Sequence, residues 1–166
     1  MLKSNLSSRR SEKYSNHPIL LIHSGAIGDL LLTRPAIKAV RRCYPQSMFL
    51  ACGYRDRLKL LQEDCALHGL LSLDDLPISP LFQRDLHPEK PPLPFLAGFH
   101  LIISWFGAGN EEFRENLNHL KEKSQIIVAS SRPPQDWNRH ASEYYLEAIS
   151  PLGLNEEVRV FDKLII

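Results

Sequence analysis

The chain has 166 residues, 43% of them hydrophobic, which suffices for one ordinary domain with a core of its own. Lysine and arginine number 20 and acidic residues 19, and the resulting formal charge of +1 gives no basis for general nucleic-acid binding. No apolar stretch approaches the roughly 20 residues that a membrane-spanning helix needs, so the sequence predicts no transmembrane segment.

The N-terminal residues 1–17 carry serine and charge and lack the apolar run of a secretory signal. Such a composition is typical of a mobile polar tail. We therefore predict a cytoplasmic protein whose ordered part begins near residue 18.

The first predicted element is a buried strand. Ile19–Ile22 is a continuous apolar run, too short for a typical helix and suited to a strand that is covered on both faces. Gly25 and Gly28 then allow a tight turn whose amides no side chain covers. A helix with an apolar face is expected to begin near Asp29.

The rest of the chain alternates strands and helices. Pro35 cannot lie deep in an unbroken helix, so the first helix should either kink or stop and restart with Thr33 as its cap. Further elements are predicted in the order strand Ser47–Cys52, helix Arg57–Glu63, strand Leu70–Leu73, strand Phe99–Trp105, a turn and helix after residue 107, strand Gln125–Ser130 and helix Ser142–Ser150. This order predicts an α/β fold with a doubly wound parallel sheet.

Residues 77–94 interrupt the alternation. Six of the 12 prolines fall in this segment. Proline lacks the amide hydrogen that a central strand or a helix interior requires, so neither element is expected here. The pattern predicts a surface loop.

The cysteines are Cys43, Cys52 and Cys65, an odd number without a C-x-x-C pair. Zinc sites need clustered ligands, and these residues are not clustered in sequence. We predict three reduced thiols that pack as small hydrophobic side chains.

The segment from residue 19 to residue 45 carries the most specific pattern of the chain. It joins the strand Ile19–His23, the turn Ser24–Asp29 and the stretch Leu32–Ile37, followed by Arg41 and Tyr44-Pro45. This combination closely resembles the N-terminal signature of the bacterial heptosyltransferases of glycosyltransferase family 9, which extend the lipopolysaccharide core. A weaker similarity at residues 140–154 resembles the end of that family's first domain.

The resemblance implies a fold and a domain organisation. Enzymes of this family have two Rossmann-like domains that face each other across a cleft, the arrangement called GT-B. Residues 18–160 would form the Rossmann-like, acceptor-binding N-terminal domain, residues 161–166 would begin the interdomain linker, and the C-terminal donor-binding domain would be absent. The chain would then be inactive without a second domain, whether it is a truncated gene product or a natural single domain.

Asp29 is the candidate catalytic residue. In open parallel sheets ligands bind beyond the carboxyl ends of the strands, and this residue follows the first strand at a helix start. The resemblance implies that Asp29 is the general base of an inverting transfer, which takes the proton of an acceptor hydroxyl. An ordinary acid in the first turn of a helix is the alternative interpretation.

The turn before Asp29 is the candidate acceptor-binding or anion-binding site. Consecutive amides at a helix start attract phosphate or carboxylate groups, and arginines on neighbouring loops could assist them. The predicted residues are Ser24, Gly25, Ala26, Ile27, Gly28, Arg55, Arg57 and Arg132. A dinucleotide site is disfavoured because His23 stands where the first glycine of G-x-G-x-x-G would be.

The resemblance also implies the ligands. A nucleotide-activated sugar similar to ADP-heptose would be the donor substrate, with no cofactor and no metal. The acceptor would be an oligosaccharide or a lipid-linked sugar, and a lipid acceptor would bring the protein to the periphery of the inner membrane.

Two other classes of function remain open on the sequence. The same amides would suit a non-catalytic module that binds anions or nucleotides. A degenerate domain that acts through protein contacts, as a homodimer or with another partner, is the second alternative, because the face that would meet a second domain would be uncovered.

Overall fold

A computed structural model describes residues 17–76 and 78–154. Its centre is a five-stranded parallel sheet with the strand order β3-β2-β1-β4-β5. The strands are β1 (Ile19–His23), β2 (Phe49–Gly53), β3 (Gly69–Ser72), β4 (Leu101–Trp105) and β5 (Gln125–Val128). The predicted α/β fold with a doubly wound parallel sheet is confirmed.

The first strand is the central strand of the sheet. Every residue of β1 is buried, as expected for an apolar run covered by a layer on each face. His23, the last residue of β1, pairs in register with Gly53 on one side and with Trp105 on the other. The carboxyl ends of β1, β2 and β4 are therefore level at one edge of the sheet.

The helices are α1 (Ile27–Leu32), α2 (Arg34–Cys43), α3 (Arg55–Gln62), α4 (Leu93–Leu96), α5 (Glu111–Asn118) and α6 (Ala141–Ala148), with 3-10 turns at Ser79–Phe82 and Ser150–Leu152. The predicted break near Pro35 is present between α1 and α2. The predicted cap is absent: the Thr33 hydroxyl donates to the carbonyl oxygen of Leu30 at 2.6 Å and accepts no helix amide.

Two apolar layers enclose the sheet. Side chains of α1, α2, α3 and α6 pack on one face, against Leu21 and Ile103 among others. Side chains of α4, α5 and the segment before α4 pack on the other face, against Ile22 and Ile102. Alternate residues of each strand contribute to the two layers, as the pleat requires.

The proline-rich segment differs in part from its prediction. It holds no strand, and its one α-helix has four residues, in agreement with the proline pattern. Most of its described residues are exposed, as the prediction of a surface loop implies, but Ile78, Leu81, Leu86 and Leu93 are buried in the second apolar layer. The prolines prevent regular hydrogen bonding, yet the leucines between them still cover the sheet.

The three cysteines, all within the described residues, are reduced and form no disulfide, as predicted. Burial raises the pKa of Cys52 to about 12 and that of Cys65 to about 11, so both thiols stay protonated at neutral pH. Within residues 17–76 and 78–154, no cluster of three or more His, Cys, Asp or Glu side chains could hold a metal ion.

Some predicted segments lie outside the described residues. These are most of the N-terminal tail 1–17, the end of the predicted domain at 155–160 and the linker at 161–166. Within the described part, no helix combines the length and apolar character needed to cross a bilayer.

Arg41 connects α2 to the start of β2. Its guanidinium donates to the carbonyl oxygens of Ser47 and Ala66 and lies 3.6 Å from the centroid of the Phe49 ring. We expect Arg41→Lys to lower the free energy of unfolding by about 2 kcal/mol, because an ammonium cannot reproduce the fork that reaches both carbonyls. Urea unfolding would measure the change.

Arg114→Lys is the matched control for that variant. Arg114 is an exposed arginine on α5, so its replacement should change the free energy of unfolding by no more than about 0.5 kcal/mol. Equal stability of the two variants would show that the Arg41 contacts contribute nothing to folding.

Candidate functional site

The candidate site lies at the carboxyl edge of the sheet, where β1, β2, β4 and β5 end. Three loops meet there: residues 24–26 after β1, residue 54 after β2, and residues 129–140 after β5. Parallel sheets place their ligands at this edge because the helix starts and the loops converge on it. The predicted site residues Asp29, Arg57 and Arg132 are all at this edge.

Asp29 lies in the first turn of α1, and its side chain is 20% exposed. Its carboxylate Oδ2 accepts a hydrogen bond from Arg132 Nε at 3.0 Å. The two residues are 103 positions apart in sequence, so only the fold brings them together. Arg132 itself is 71% exposed, which leaves its guanidinium able to contact a ligand.

Gly25 connects the turn to two other side chains. Its amide donates to His23 Nδ1 at 3.1 Å, and its carbonyl oxygen accepts from Arg57 Nη1 at 2.8 Å. A Cβ at this position would lie 2.8 Å from His23 Cε1 and 3.5 Å from Asp29 Cβ. A Cβ at residue 25 would therefore clash with the buried imidazole, whereas its distance to Asp29 would be an ordinary van der Waals contact.

His23 is buried at the end of β1, with only 4% of its surface exposed. Burial lowers its pKa to about 4; the nearby Asp29 opposes this shift and the Arg57 charge adds to it. The imidazole is thus neutral at pH 7. Its ring makes an edge contact with Trp105, at 6.4 Å between centroids.

Two tyrosines of α6 form hydrogen bonds to the backbone of the loop after β5. Tyr145 OH donates to the carbonyl oxygen of Ser131 at 2.7 Å, and Tyr144 OH donates to that of Ser130 at 3.2 Å. Burial, together with the Asp29 charge, raises the pKa of Tyr145 to about 12, so this hydroxyl remains a donor. These bonds fix the backbone just before Arg132.

The structure separates the predicted site residues into those near Asp29 and those directed elsewhere. Ser24, Ala26, Ile27 and Gly28 lie in the turn and first residues of α1, and the last three are exposed. The Arg55 side chain is directed away from Asp29. Its guanidinium donates to the carbonyl oxygen of Leu70 at the β3 edge and approaches Asp75.

Two residues of the site were not singled out from the sequence. His23 appears in the sequence prediction only as the replacement for a glycine, and Tyr145 only lies within the predicted helix Ser142–Ser150. A histidine at the end of an otherwise apolar buried strand is the signal that could have identified the first. No sequence signal relates Tyr145 to Ser131.

The arrangement combines one carboxylate with two guanidinium groups around an exposed turn. A carboxylate can accept a proton from a hydroxyl, and guanidinium groups bind anionic oxygens through charge-assisted hydrogen bonds. Asp29, Arg132 and Arg57 therefore bring one carboxylate and two guanidinium groups to one edge of the sheet.

The fold has a solved relative with the same architecture. A glycosyltransferase of family 9 from Veillonella parvula superposes with a TM-score of 0.52 over 85% of this chain, at 13% sequence identity. The two proteins share a fold. This likeness confirms, at the level of the fold, the resemblance predicted from the segment around Asp29.

The chain spans 42% of the length of the Veillonella parvula protein. The E. coli heptosyltransferase WaaC, solved with ADP, is also similar: 81% of this chain and 47% of WaaC are covered, with a TM-score of 0.45 and 10% identity. No family model matches the sequence, and neither does any curated protein. The described residues form a Rossmann-like unit, whose fold is shared with part of the Veillonella parvula protein.

The neutral state of His23 has a consequence for stability at low pH. The pKa of His23 is about 4 in the folded chain and about 6.5 in an unfolded one, so the unfolded chain takes up the proton first as the pH falls. Above pH 6.5 the contribution of the neutral His23 ring to the free energy of unfolding is fully present. We expect it to fall by about 3 kcal/mol between pH 6.5 and pH 4 because of this residue alone.

Urea unfolding of the parent chain and of His23→Asn at several pH values would measure this contribution. The variant should lose less stability over that range, whereas His119→Asn, which replaces an exposed histidine, should follow the parent curve. Parallel curves for the parent chain and His23→Asn would contradict the assignment of a buried neutral imidazole.

Proposed function

We propose that this chain is the acceptor-binding part of an inverting glycosyltransferase that uses a nucleotide-activated sugar. The observation that carries the proposal is the position of Asp29, a partly exposed carboxylate at the carboxyl edge of the sheet, with Arg132 bound to it. The shared fold with a family 9 glycosyltransferase supports the proposal. A lipopolysaccharide core sugar is the proposed acceptor class, and a donor similar to ADP-heptose is the proposed second substrate.

Asp29 is proposed as the general base. Its carboxylate would take the proton of an acceptor hydroxyl while that oxygen forms a bond to the anomeric carbon of the donor sugar. The bond from the anomeric carbon to the nucleotide diphosphate would break on the opposite face, so the configuration would invert. The proton ends on Asp29 and the electron pair on the leaving diphosphate.

Arg57 and Arg132 are proposed to bind an acidic group of the acceptor. A phosphate or carboxylate of a core sugar would compete with Asp29 for the Arg132 guanidinium. Once Arg132 has moved to that group, the Asp29 carboxylate is free to accept a proton. The exposed turn residues Ala26, Ile27 and Gly28 would contact the same acceptor.

The donor would be held by a second domain, in keeping with the chain's spanning 42% of the Veillonella parvula protein. Transfer would therefore need that domain, and the chain alone would bind the acceptor without turning it over. The place of action would be the cytoplasmic side of the inner membrane, where a lipid-linked acceptor is accessible.

An NMR titration of the isolated chain tests this proposal. We expect an acidic, phosphorylated core oligosaccharide to shift the amide signals of residues 24–29 and 130–132 in a saturable manner, and the Arg132→Gln variant to bind more weakly. A neutral oligosaccharide of equal length is the control ligand. Absence of saturable shifts with the acidic ligand would contradict an acceptor-binding role.

A titration with ADP separates this proposal from a nucleotide-binding module. An acceptor-binding half should bind ADP weakly, because the groups that hold the donor would belong to another domain. Binding of ADP at micromolar concentration, with shifts in residues 24–29, would instead favour the non-catalytic alternative.

A further inference from the structure

His23 is a buried polar side chain at the end of an otherwise apolar strand. It lies between Gly53 and Trp105 in the sheet, and an aliphatic residue at the end of a buried strand would satisfy that environment without polar atoms. A buried donor without a hydrogen-bond partner destabilises the folded state. In the described part of the chain, His23 Nε2 and Trp105 Nε1 are both buried with no hydrogen-bond partner.

The Gly25 contact determines the tautomer of His23. The Gly25 amide donates to Nδ1, so Nδ1 carries no hydrogen and the proton of the neutral ring is on Nε2. A protonated ring would present N–H groups on both sides and would lose this bond. The buried Nε2 atom is therefore an N–H donor.

The same contact determines the path of the turn. Gly25 lies close to both His23 Cε1 and Asp29, because a Cβ added there would come within 2.8 Å of the first and within 3.5 Å of Asp29 Cβ. Arg57 Nη1 donates to the carbonyl oxygen of Gly25 at 2.8 Å. The imidazole and the guanidinium thus bind the two peptide groups that flank the Gly25 Cα.

We propose that His23 is the positioning residue of this site: as the neutral Nε2–H tautomer it holds the Gly25 amide and thereby fixes the turn that places Asp29 against Arg132. His23 touches no substrate in this arrangement and acts through Gly25. The structural part of the proposal stands on the geometry, whereas its effect on transfer rests on the function proposed above.

The experiment compares two replacements of His23. Asparagine places an acceptor oxygen where Nδ1 lies, and leucine fills similar space without an acceptor. The readouts are nitrogen NMR of the His23 ring, hydrogen exchange of the Gly25 amide and the shift of the Arg132 Nε signal. None of these readouts depends on enzymatic activity.

We expect the ring of the parent chain to show the Nε2–H tautomer at pH 7. His23→Leu should raise the exchange rate of the Gly25 amide at least tenfold and move the Arg132 Nε signal toward that of a free arginine. His23→Asn should keep both values near those of the parent chain. In a transfer assay with a donor-binding domain, His23→Leu should lower kcat with little change in KM, and asparagine should restore most of it.

Two results would overturn the proposal. One is an Nδ1–H tautomer in the parent chain, because Nδ1 could then not accept from Gly25. The other is an unchanged Gly25 exchange rate and Arg132 signal in His23→Leu; if that variant does not fold, the ring tautomer and His23→Asn decide. A positive NMR result without transfer would refute the proposed function and leave the positioning role intact.

Discussion

Asp29→Asn should lower sugar transfer by about 10²–10⁴-fold, the range that removal of a general base typically produces. Asparagine keeps the size and planarity of the side chain but cannot take up a proton at neutral pH. The assay requires the chain together with a donor-binding domain, a donor sugar nucleotide and an acidic acceptor. Initial rates at saturating acceptor would measure the loss in kcat.

We expect the Asp29→Asn variant to fold with nearly the stability of the parent chain. The Arg132–Asp29 pair is largely exposed on the arginine side, and pairs of that kind contribute about 0–1 kcal/mol. Asp64→Asn is the matched control, because Asp64 also pairs with basic side chains, Arg34 and Lys38, but lies at the C-terminal end of α3, away from the site. Transfer by Asp29→Asn at the rate of the control would exclude Asp29 as the base.

Gly53→Ala should destabilise the chain by at least about 3 kcal/mol, at the upper end of what overpacking costs. A Cβ at Gly53 would lie 2.1 Å from the carbonyl oxygen of His23, which is backbone of the neighbouring strand and cannot move aside as a side chain could. The two strands would have to separate at the carboxyl edge. Thermal unfolding followed by circular dichroism would measure the shift.

Gly109→Ala is the control for the loss of a glycine. No atom lies within 4 Å of a Cβ built at Gly109, so this variant should unfold within a few degrees of the parent chain. Similar unfolding temperatures for the two variants would contradict the close approach of β2 to His23.

The sheet could be predicted because its signal is local. β1 and β4 are short apolar runs, and each is followed by glycine and by a helix start, so the order of elements and the parallel arrangement follow from the sequence. Asn110 caps α5, the helix predicted after residue 107: its side chain accepts from the Phe113 amide at 2.8 Å. His140 likewise caps α6, as its place before that helix indicates.

The contacts around Asp29 could not be predicted because they join residues that are far apart in the sequence. Arg132 is one of several arginines on loops at this edge, and nothing in its neighbours specifies a carboxylate 103 residues away. Arg55 and Arg57 have similar sequence positions, yet only Arg57 reaches the turn. Which arginine meets which acceptor depends on side-chain direction at the start of α3, a property that the hydrophobic pattern does not encode.

The strand order has a consequence for how the chain assembles. β1 is joined to its partner β2 by the two consecutive helices α1 and α2, whereas its other partner, β4, follows only after the proline-rich segment. Closing the longer loop costs more chain entropy, so pairing of β1 with β2 and β3 should precede docking of β4 and β5. During synthesis the central strand would therefore be an exposed edge for as long as the ribosome needs to complete β4.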